Sequence, residues 1–334
     1  MENDYNTKLT NFVQVYIKCS FSQQNYICSV CSLVCSAAGR SVDSFRFSGK
    51  LDMSKPTETK ETAQCNETDK VPTDEQLTTN GATLMEQINR QKKEIEDEVR
   101  KEHPLVARKE SISVLLKEYD EDKSAEYYRK AKELAGIYSF LRRIRGDGCC
   151  FYRALLCAQL ECILSDSEEL TRFTKVCKEW RKRLTKLGFP EFTTNDFCDW
   201  FDELLDDIAA AKYDENLLVE ALNEEGRSNY YVTFFRLVTS GYLRENAVDY
   251  EGFIDGGRTV EQFCQSEIEP MFKDCDHLAI IALTKAIGVS IRIEYMDRTA
   301  AVHHGWFYDF IVDKKLPRHF FLYRPGHYDI IYKT

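Results

Sequence analysis

Apolar residues along this chain follow two rhythms, one helical and one stranded, and a long stretch follows neither. Between residues 48 and 82, Ser, Thr, Lys, Glu, Asp and Pro dominate and large apolar side chains are nearly missing. Such a stretch buries too little surface to offset its ordering entropy and is expected to be disordered. Residues 1–35 are mixed, and Met53 is a candidate internal start. Residues 1–82 are therefore expected to be a largely disordered extension, and 83–334 the folded domain. From Thr83 a sparse stripe of Leu84, Ile88, Ile95 and Val99 marks a long, exposed, charged helix over 83–102, with Thr83 and Glu86 at the capping-box offset and Pro104 as its stop. One stripe on a solvated helix serves either packing or a partner.

Residues 105–145 read as short helices, with Leu115, Leu116, Tyr127, Tyr128, Leu134, Ile137, Tyr138, Phe140 and Leu141 supplying core. From Cys150 to Leu164 helix formers dominate, and apolar residues point to more than one side. A helix apolar nearly all round is buried, so this one is expected at the centre. Helical patterns continue through 196–211, 214–223, the strongly apolar 229–243, a helix capped by Thr259, and 277–287. The period then switches to two. Val289, Ile291, Ile293 and Tyr295 alternate with Ser290, Arg292 and Glu294, which is a strand. A hairpin edge at 306–311, a strand at 320–323, a Pro325-Gly326 turn and a last strand at 327–333 follow. The expected class is α+β, a helical body with a small antiparallel sheet built mainly from the C-terminal third.

Composition narrows the function. The net charge of −10 argues against a sequence-independent nucleic-acid binder, which needs a basic surface. No stretch approaches the ~18–20 uninterrupted apolar residues of a membrane helix, and the acidic start Met1-Glu2-Asn3-Asp4 is unlike a signal peptide. Thirteen irregularly spaced cysteines do not resemble a secreted disulfide framework; a reducing setting, cytoplasmic or nuclear, is expected. Cys28 and Cys31 have zinc-ligand spacing. A structural site needs a second well-spaced pair, and no histidine is near, so incidental thiols are the plainer reading.

The densest chemistry lies at Gly146-Asp147-Gly148-Cys149-Cys150-Phe151-Tyr152-Arg153-Ala154. A tight turn delivers Cys150 to the first turn of a helix, where unpaired N–H groups and the macrodipole favour an anion such as a thiolate. A buried structural cysteine fits the local sequence equally well. In the last strand His327, Asp329 and Ile331 share one face. A base and an orienting carboxylate on that face would complete a Cys–His–Asp triad with Cys150. A strand histidine with a satisfied hydrogen bond is the alternative. The other histidines fit the role less well: His277 follows an N-capping Asp276, His319 lacks a carboxylate on its face, His303 and His304 are adjacent in a loop, and His103 precedes Pro104.

On these motifs the chain resembles the otubains, the ovarian-tumour-domain (OTU) deubiquitinases of the C65 cysteine peptidase class. The matching pieces are Asp147-Gly148-x-Cys150-Phe151-Tyr152-Arg153-Ala154, Thr239-Ser240-Gly241-Tyr242-Leu243, Phe253-Ile254-x-Gly256-Gly257-Arg258-Thr259-Val260, Glu267-x-Glu269-Pro270-Met271 and Tyr323 through Lys333. The resemblance implies a papain-like (OTU) fold, Cys150 as nucleophile, His327 as base, Asp329 as its orienter, and Asp147 fixing an oxyanion loop, with no cofactor and no metal. It also implies hydrolysis of ubiquitin–lysine isopeptide bonds, lysine-48-linked chains preferred, with ubiquitin and polyubiquitin as partners and the 83–102 helix helping to hold ubiquitin. An alternative from the same resemblance is a non-catalytic regulator that binds and inhibits ubiquitin-conjugating enzymes. One departure is Cys149, where the family usually has asparagine. It leaves a second thiol beside the first and a weaker hydrogen-bond donor.

Overall fold

The computed structural model describes residues 103–297 and 306–333, together with Arg90. The expected extension 1–82, the cysteine pair Cys28 and Cys31, and His303 and His304 lie outside the described residues. So does the 83–102 helix, except for Arg90, which is helical and exposed.

Local chemistry sets the helix bounds. Helix α1 spans Ala125–Ala135. Helix α2 (Cys150–Ser165) gives way at Asp166, whose carboxylate caps α3 (Ser167–Lys186) through the Glu169 amide. Helix α4 covers Glu191–Ala209. Asp214 caps α5 (Glu215–Asn223), and Glu224 caps α6 (Glu225–Glu245). These carboxylates satisfy amides that have no partner within the first turn. Thr259 and Gln262 form a full capping box on the short helix Val260–Phe263. Asp276 caps α7 (His277–Ile287), which Gly288 ends in the left-handed conformation.

The sheet has six strands: β1 (Val106–Ser111), β2 (Phe140–Ile144), β3 (Ile291–Tyr295), β4 (Trp306–Phe310), β5 (His319–Arg324) and β6 (His327–Tyr332). Their spatial order is β1-β2-β6-β5-β3-β4. The α+β class stands, and four strands come from the C-terminal third as expected. Two details differ. β3 and β5 run parallel, so the sheet is mixed. Residues 105–145, read as short helices, also supply β1 and β2. Neither of these strands alternates cleanly. β1 carries three consecutive charged residues, Arg108, Lys109 and Glu110. In β2, Arg142 is buried with its guanidinium on Glu161, Glu215, Tyr332 and the Ala107 carbonyl, so a charged residue stands at an interior position.

Both faces of the sheet are covered. On one face the helical body packs a large core that includes Phe151, Leu155, Phe201, Phe235, Phe321 and Ile330. On the other, Ile112, Leu115, Ala131 and Leu134 meet Leu141, Leu322 and Ile331 in a smaller core. β6 divides itself between them, as its period of two requires: Tyr328 and Ile330 join the large core, Ile331 the small one. Helix α2 lies inside the large core, every residue from Cys150 to Leu160 buried. Phe151 meets Tyr328 edge-on at 5.2 Å, tying the start of α2 to the start of β6. Gly241 permits the close approach of α6 to α3, since a Cβ there would come within 2.9 Å of Leu184.

Candidate active site

The site begins where a glycine is required. Gly148 sits at φ +72°, and a Cβ on it would lie 2.6 Å from the Phe272 carbonyl oxygen. Only glycine takes both the backbone angle and the close approach without strain. The turn it makes presents Cys149 as N-cap and Cys150 as first residue of α2. Asp147 braces the turn from within. One carboxylate oxygen accepts the Cys149 N–H at 2.9 Å, and the other accepts Arg153 Nε at 2.9 Å. Arg153, 1% exposed, also donates to Ser228 Oγ and Asn229 Oδ1 at the start of α6. The aspartate is thereby fixed to two helices.

The two adjacent thiols point into different surroundings. Cys149 is fully buried; its sulfur accepts from Arg236 Nη2 at 3.4 Å and from the Phe272 N–H at 3.3 Å. Burial pushes its pKa up, against the opposing pull of Arg236. A thiol held as an acceptor in the interior is not a nucleophile. Cys150 lies beside His327 instead, and its thiol is among the groups that hold a proton on that ring.

His327 opens β6, with its Nε2 donating to Asp329 Oδ1 at 2.9 Å. Its Nδ1 faces the turn: a Cβ on Gly146 would stand 3.5 Å from it. Burial disfavours the charged ring, but the hydrogen bonds to Asp329 and Cys150 and their charges outweigh it, and the pKa is pushed up to about 9. Asp329 is completely buried. Its Oδ1 also accepts the Ile144 N–H at 2.9 Å, and its Oδ2 takes Arg324 Nη2 at 2.5 Å. Burial would raise this carboxyl; His327, Arg324 and the Ile144 amide hold it below the usual range.

The structure thus brings all four expected residues, Asp147, Cys150, His327 and Asp329, into one place. The remaining described histidines have other employment. His319 is buried, bonded to Gln159 Oε1 at 2.8 Å, and pushed down to about 4 by burial. His277 meets the Tyr295 hydroxyl at 3.1 Å, behind its capping Asp276. His103 is exposed. Sequence reasoning missed the arginines behind the site. The available signal was a lone arginine in an apolar helical run, as in Cys150-Phe151-Tyr152-Arg153-Ala154 and Thr233-Phe234-Phe235-Arg236-Leu237. A guanidinium at such a position is buried only with acceptors waiting for it.

A thiol on a helix start, an imidazole on the adjacent strand and a buried carboxylate behind it are the groups a cysteine peptidase needs, here on an α+β scaffold. Residues 98–333 match the profile of the family Peptidase C65 Otubain, and the chain belongs to that family. A ubiquitin thioesterase otubain-like protein of Caenorhabditis elegans is 49% identical over 247 residues, 73% of this chain and 87% of the relative. Ubiquitin thioesterase OTUB1 of Homo sapiens is 43% identical over 252 residues, 74% of this chain and 90% of the relative. A solved complex of h/ceOTUB1 with ubiquitin aldehyde and UBCH5B~Ub matches with a TM-score of 0.73 at 47% identity, over 76% of this chain and 99% of that one. A ceOTUB1, ubiquitin aldehyde and UBC13~Ub complex matches with a TM-score of 0.71 at 49% identity, over 73% of this chain and 99% of that one.

Proposed function

We propose that this otubain hydrolyses the isopeptide bond between the C-terminal glycine of ubiquitin and a lysine side chain, with lysine-48-linked chains preferred. The observation that carries this reading is the grouping of Cys150, His327 and Asp329, with the Asp329 carboxylate on His327 Nε2 at 2.9 Å and Cys150 beside the same ring. The sulfur of Cys150, its proton passed to His327, attacks the carbonyl carbon of the glycine. The tetrahedral oxyanion forms at the start of α2, where main-chain N–H groups and the helix dipole favour negative charge. The imidazolium gives its proton to the lysine nitrogen as the C–N bond breaks, leaving a thioester on Cys150. Water then gives a proton to His327 and attacks the thioester, releasing ubiquitin with a free carboxylate and restoring the thiol. Asp329 holds the ring orientation throughout and stabilises its charged form. The preference for lysine 48 comes from the family resemblance. Incubation with ubiquitin dimers of each linkage, comparing the parent chain with Cys150→Ala, tests both claims. Full activity in Cys150→Ala overturns the mechanism; equal cleavage of all linkages overturns the preference.

A second activity is carried by a separate observation: the matching solved complexes contain UBCH5B~Ub and UBC13~Ub. We propose that this chain also binds and inhibits ubiquitin-charged conjugating enzymes through the segment before Lys101, without using its thiol. Cys150→Ala is expected to keep the inhibition and truncation before Lys101 to lose it; unchanged inhibition after truncation overturns this. Thirteen cysteines, all eight of the described ones free thiols, fit work in a reducing compartment, cytoplasmic or nuclear.

A further inference from the structure

One peptide plane in the turn before Cys150 is fixed at both of its edges. Its N–H belongs to Cys149 and is held by Asp147 Oδ1 at 2.9 Å. Its carbonyl belongs to Gly148 and is held by Arg236 Nη2 at 3.0 Å. Because the peptide unit is rigid and planar, holding both edges sets its rotation. That rotation decides where the neighbouring N–H groups point. Two of the turn's amides are already taken: Asp147 N–H by the Arg145 carbonyl, and Cys149 N–H by the Asp147 carboxylate. The oxyanion therefore falls to the amides on either side, those of Gly148 and Cys150.

Arg236 is placed to do more than pack. It projects from the middle of α6 and is 0% exposed. Its Nη2 group is shared among the Gly148 carbonyl, the Lys273 carbonyl at 2.5 Å and the Cys149 sulfur at 3.4 Å. Its Nη1 donates to the Ile268 carbonyl at 2.9 Å, and its plane lies over the Tyr152 ring, 4.4 Å from the centroid. One guanidinium thus joins the 146–149 turn, the 268–273 segment and α2. The Phe272 N–H completes the clamp on the Cys149 sulfur from the other side.

We infer that Arg236 is a positioning residue for the oxyanion: through the Gly148 carbonyl it orients the turn so that the Gly148 and Cys150 amides meet the developing charge. The inference rests on the cysteine-peptidase reading above. It also gives Cys149 a task, since its sulfur is an acceptor that seats the guanidinium.

The test separates the oxyanion from the thiol. Parent, Arg236→Lys and Arg236→Met chains are assayed for kcat and KM on lysine-48-linked di-ubiquitin. The rate at which iodoacetamide alkylates Cys150 is followed in parallel by mass spectrometry. Alkylation displaces iodide from a saturated carbon, so it needs the nucleophile but no oxyanion site. Loss of one oxyanion donor costs about 10²–10³ in kcat, so disturbing the orientation of such donors is expected to lower kcat about tenfold to a hundredfold in Arg236→Met. KM and the alkylation rate are expected to stay within about twofold of the parent, and Arg236→Lys to recover part of kcat. If kcat is unchanged in Arg236→Met, or if alkylation falls as much as cleavage in both variants, the inference is overturned. Should Arg236→Met fail to fold, Arg236→Lys decides: a lowered kcat with parental alkylation supports the inference, and parental kcat overturns it. A parent chain that cleaves no dimer overturns the function reading itself, which is a different result from parental activity in the variants.

Discussion

The two halves of the active site are held in different ways. The thiol half is a turn, and side chains from elsewhere fix it: Asp147 and Arg153 from within and behind, Arg236 from α6, the Phe272 backbone from below. The imidazole half is a strand, and the sheet fixes it. β6 is paired on both sides, Leu322 opposite Asp329 and Arg324 opposite His327 on β5, with β2 along its other edge. Asp329 even borrows a backbone amide, that of Ile144. A turn has few hydrogen bonds of its own and must be pinned by specific groups, whereas a central strand inherits its geometry from the ladder. Loss of the Cys150 thiol itself should therefore change chemistry with little loss of stability, while damage around β6 should affect both.

The largest effect belongs to Cys150→Ala, which removes the proposed nucleophile: dimer cleavage falls to background while the melting temperature stays close to that of the parent. Asp329→Asn comes next. It leaves a buried amide where a carboxylate accepted three donors, and cleavage is expected to fall by about a hundredfold or more, in line with general acid–base contributions. The same variant should lower the His327 pKa from about 9, and the basic limb of the pH–rate profile, read from kcat/KM against pH, should move down with it. On the packing side, Phe151→Ala empties a buried site between α2 and β6, and chemical denaturation should show a loss of about 3–5 kcal/mol.

A subtler contrast lies in the pH dependence of stability. His327 has its pKa raised on folding, from an ordinary value near 6.5 to about 9. A raised pKa means that the folded state holds the proton more tightly. Its contribution is complete below about pH 6.5 and is lost as pH climbs through 9. Denaturation midpoints measured from pH 6 to 10 should fall across that window in the parent and fall less in His327→Gln. The smallest effect is expected for Cys149→Ser. A hydroxyl accepts from the same two donors, Arg236 and the Phe272 N–H, and kcat should stay within about threefold. A loss as large as that of Cys150→Ala would mean that the thiols have been assigned the wrong way round.

The strand half was the easier one to read in the sequence. Period two alone placed His327 and Asp329 on one face, and their 2.9 Å hydrogen bond bears this out. The caps at Thr259 and Asp276 were legible for the same reason, being local rules between near neighbours. In the thiol half only the turn and the helix start were visible. Arg236 is 88 residues from Gly148, and nothing local says that its guanidinium will find that carbonyl. β1 and β2 were misread for a related reason. Arg142 occupies an interior position through Glu161 and Glu215, 19 and 73 residues away, so the alternation that would announce a strand is broken by a long-range ion pair. Patterns report burial by the hydrophobic effect; burial by pairing is invisible until the partners are in place.

The position of β6 has a consequence for synthesis. It leaves the ribosome after every other described element, yet it belongs in the middle of the sheet, between β2 and β5. Until it emerges, those two strands have no common neighbour, both cores lack one wall, and neither imidazole nor carboxylate has reached the thiol. The step that closes the sheet is thus also the step that completes the proposed site, and a nascent chain that lacks β6 is expected to cleave nothing.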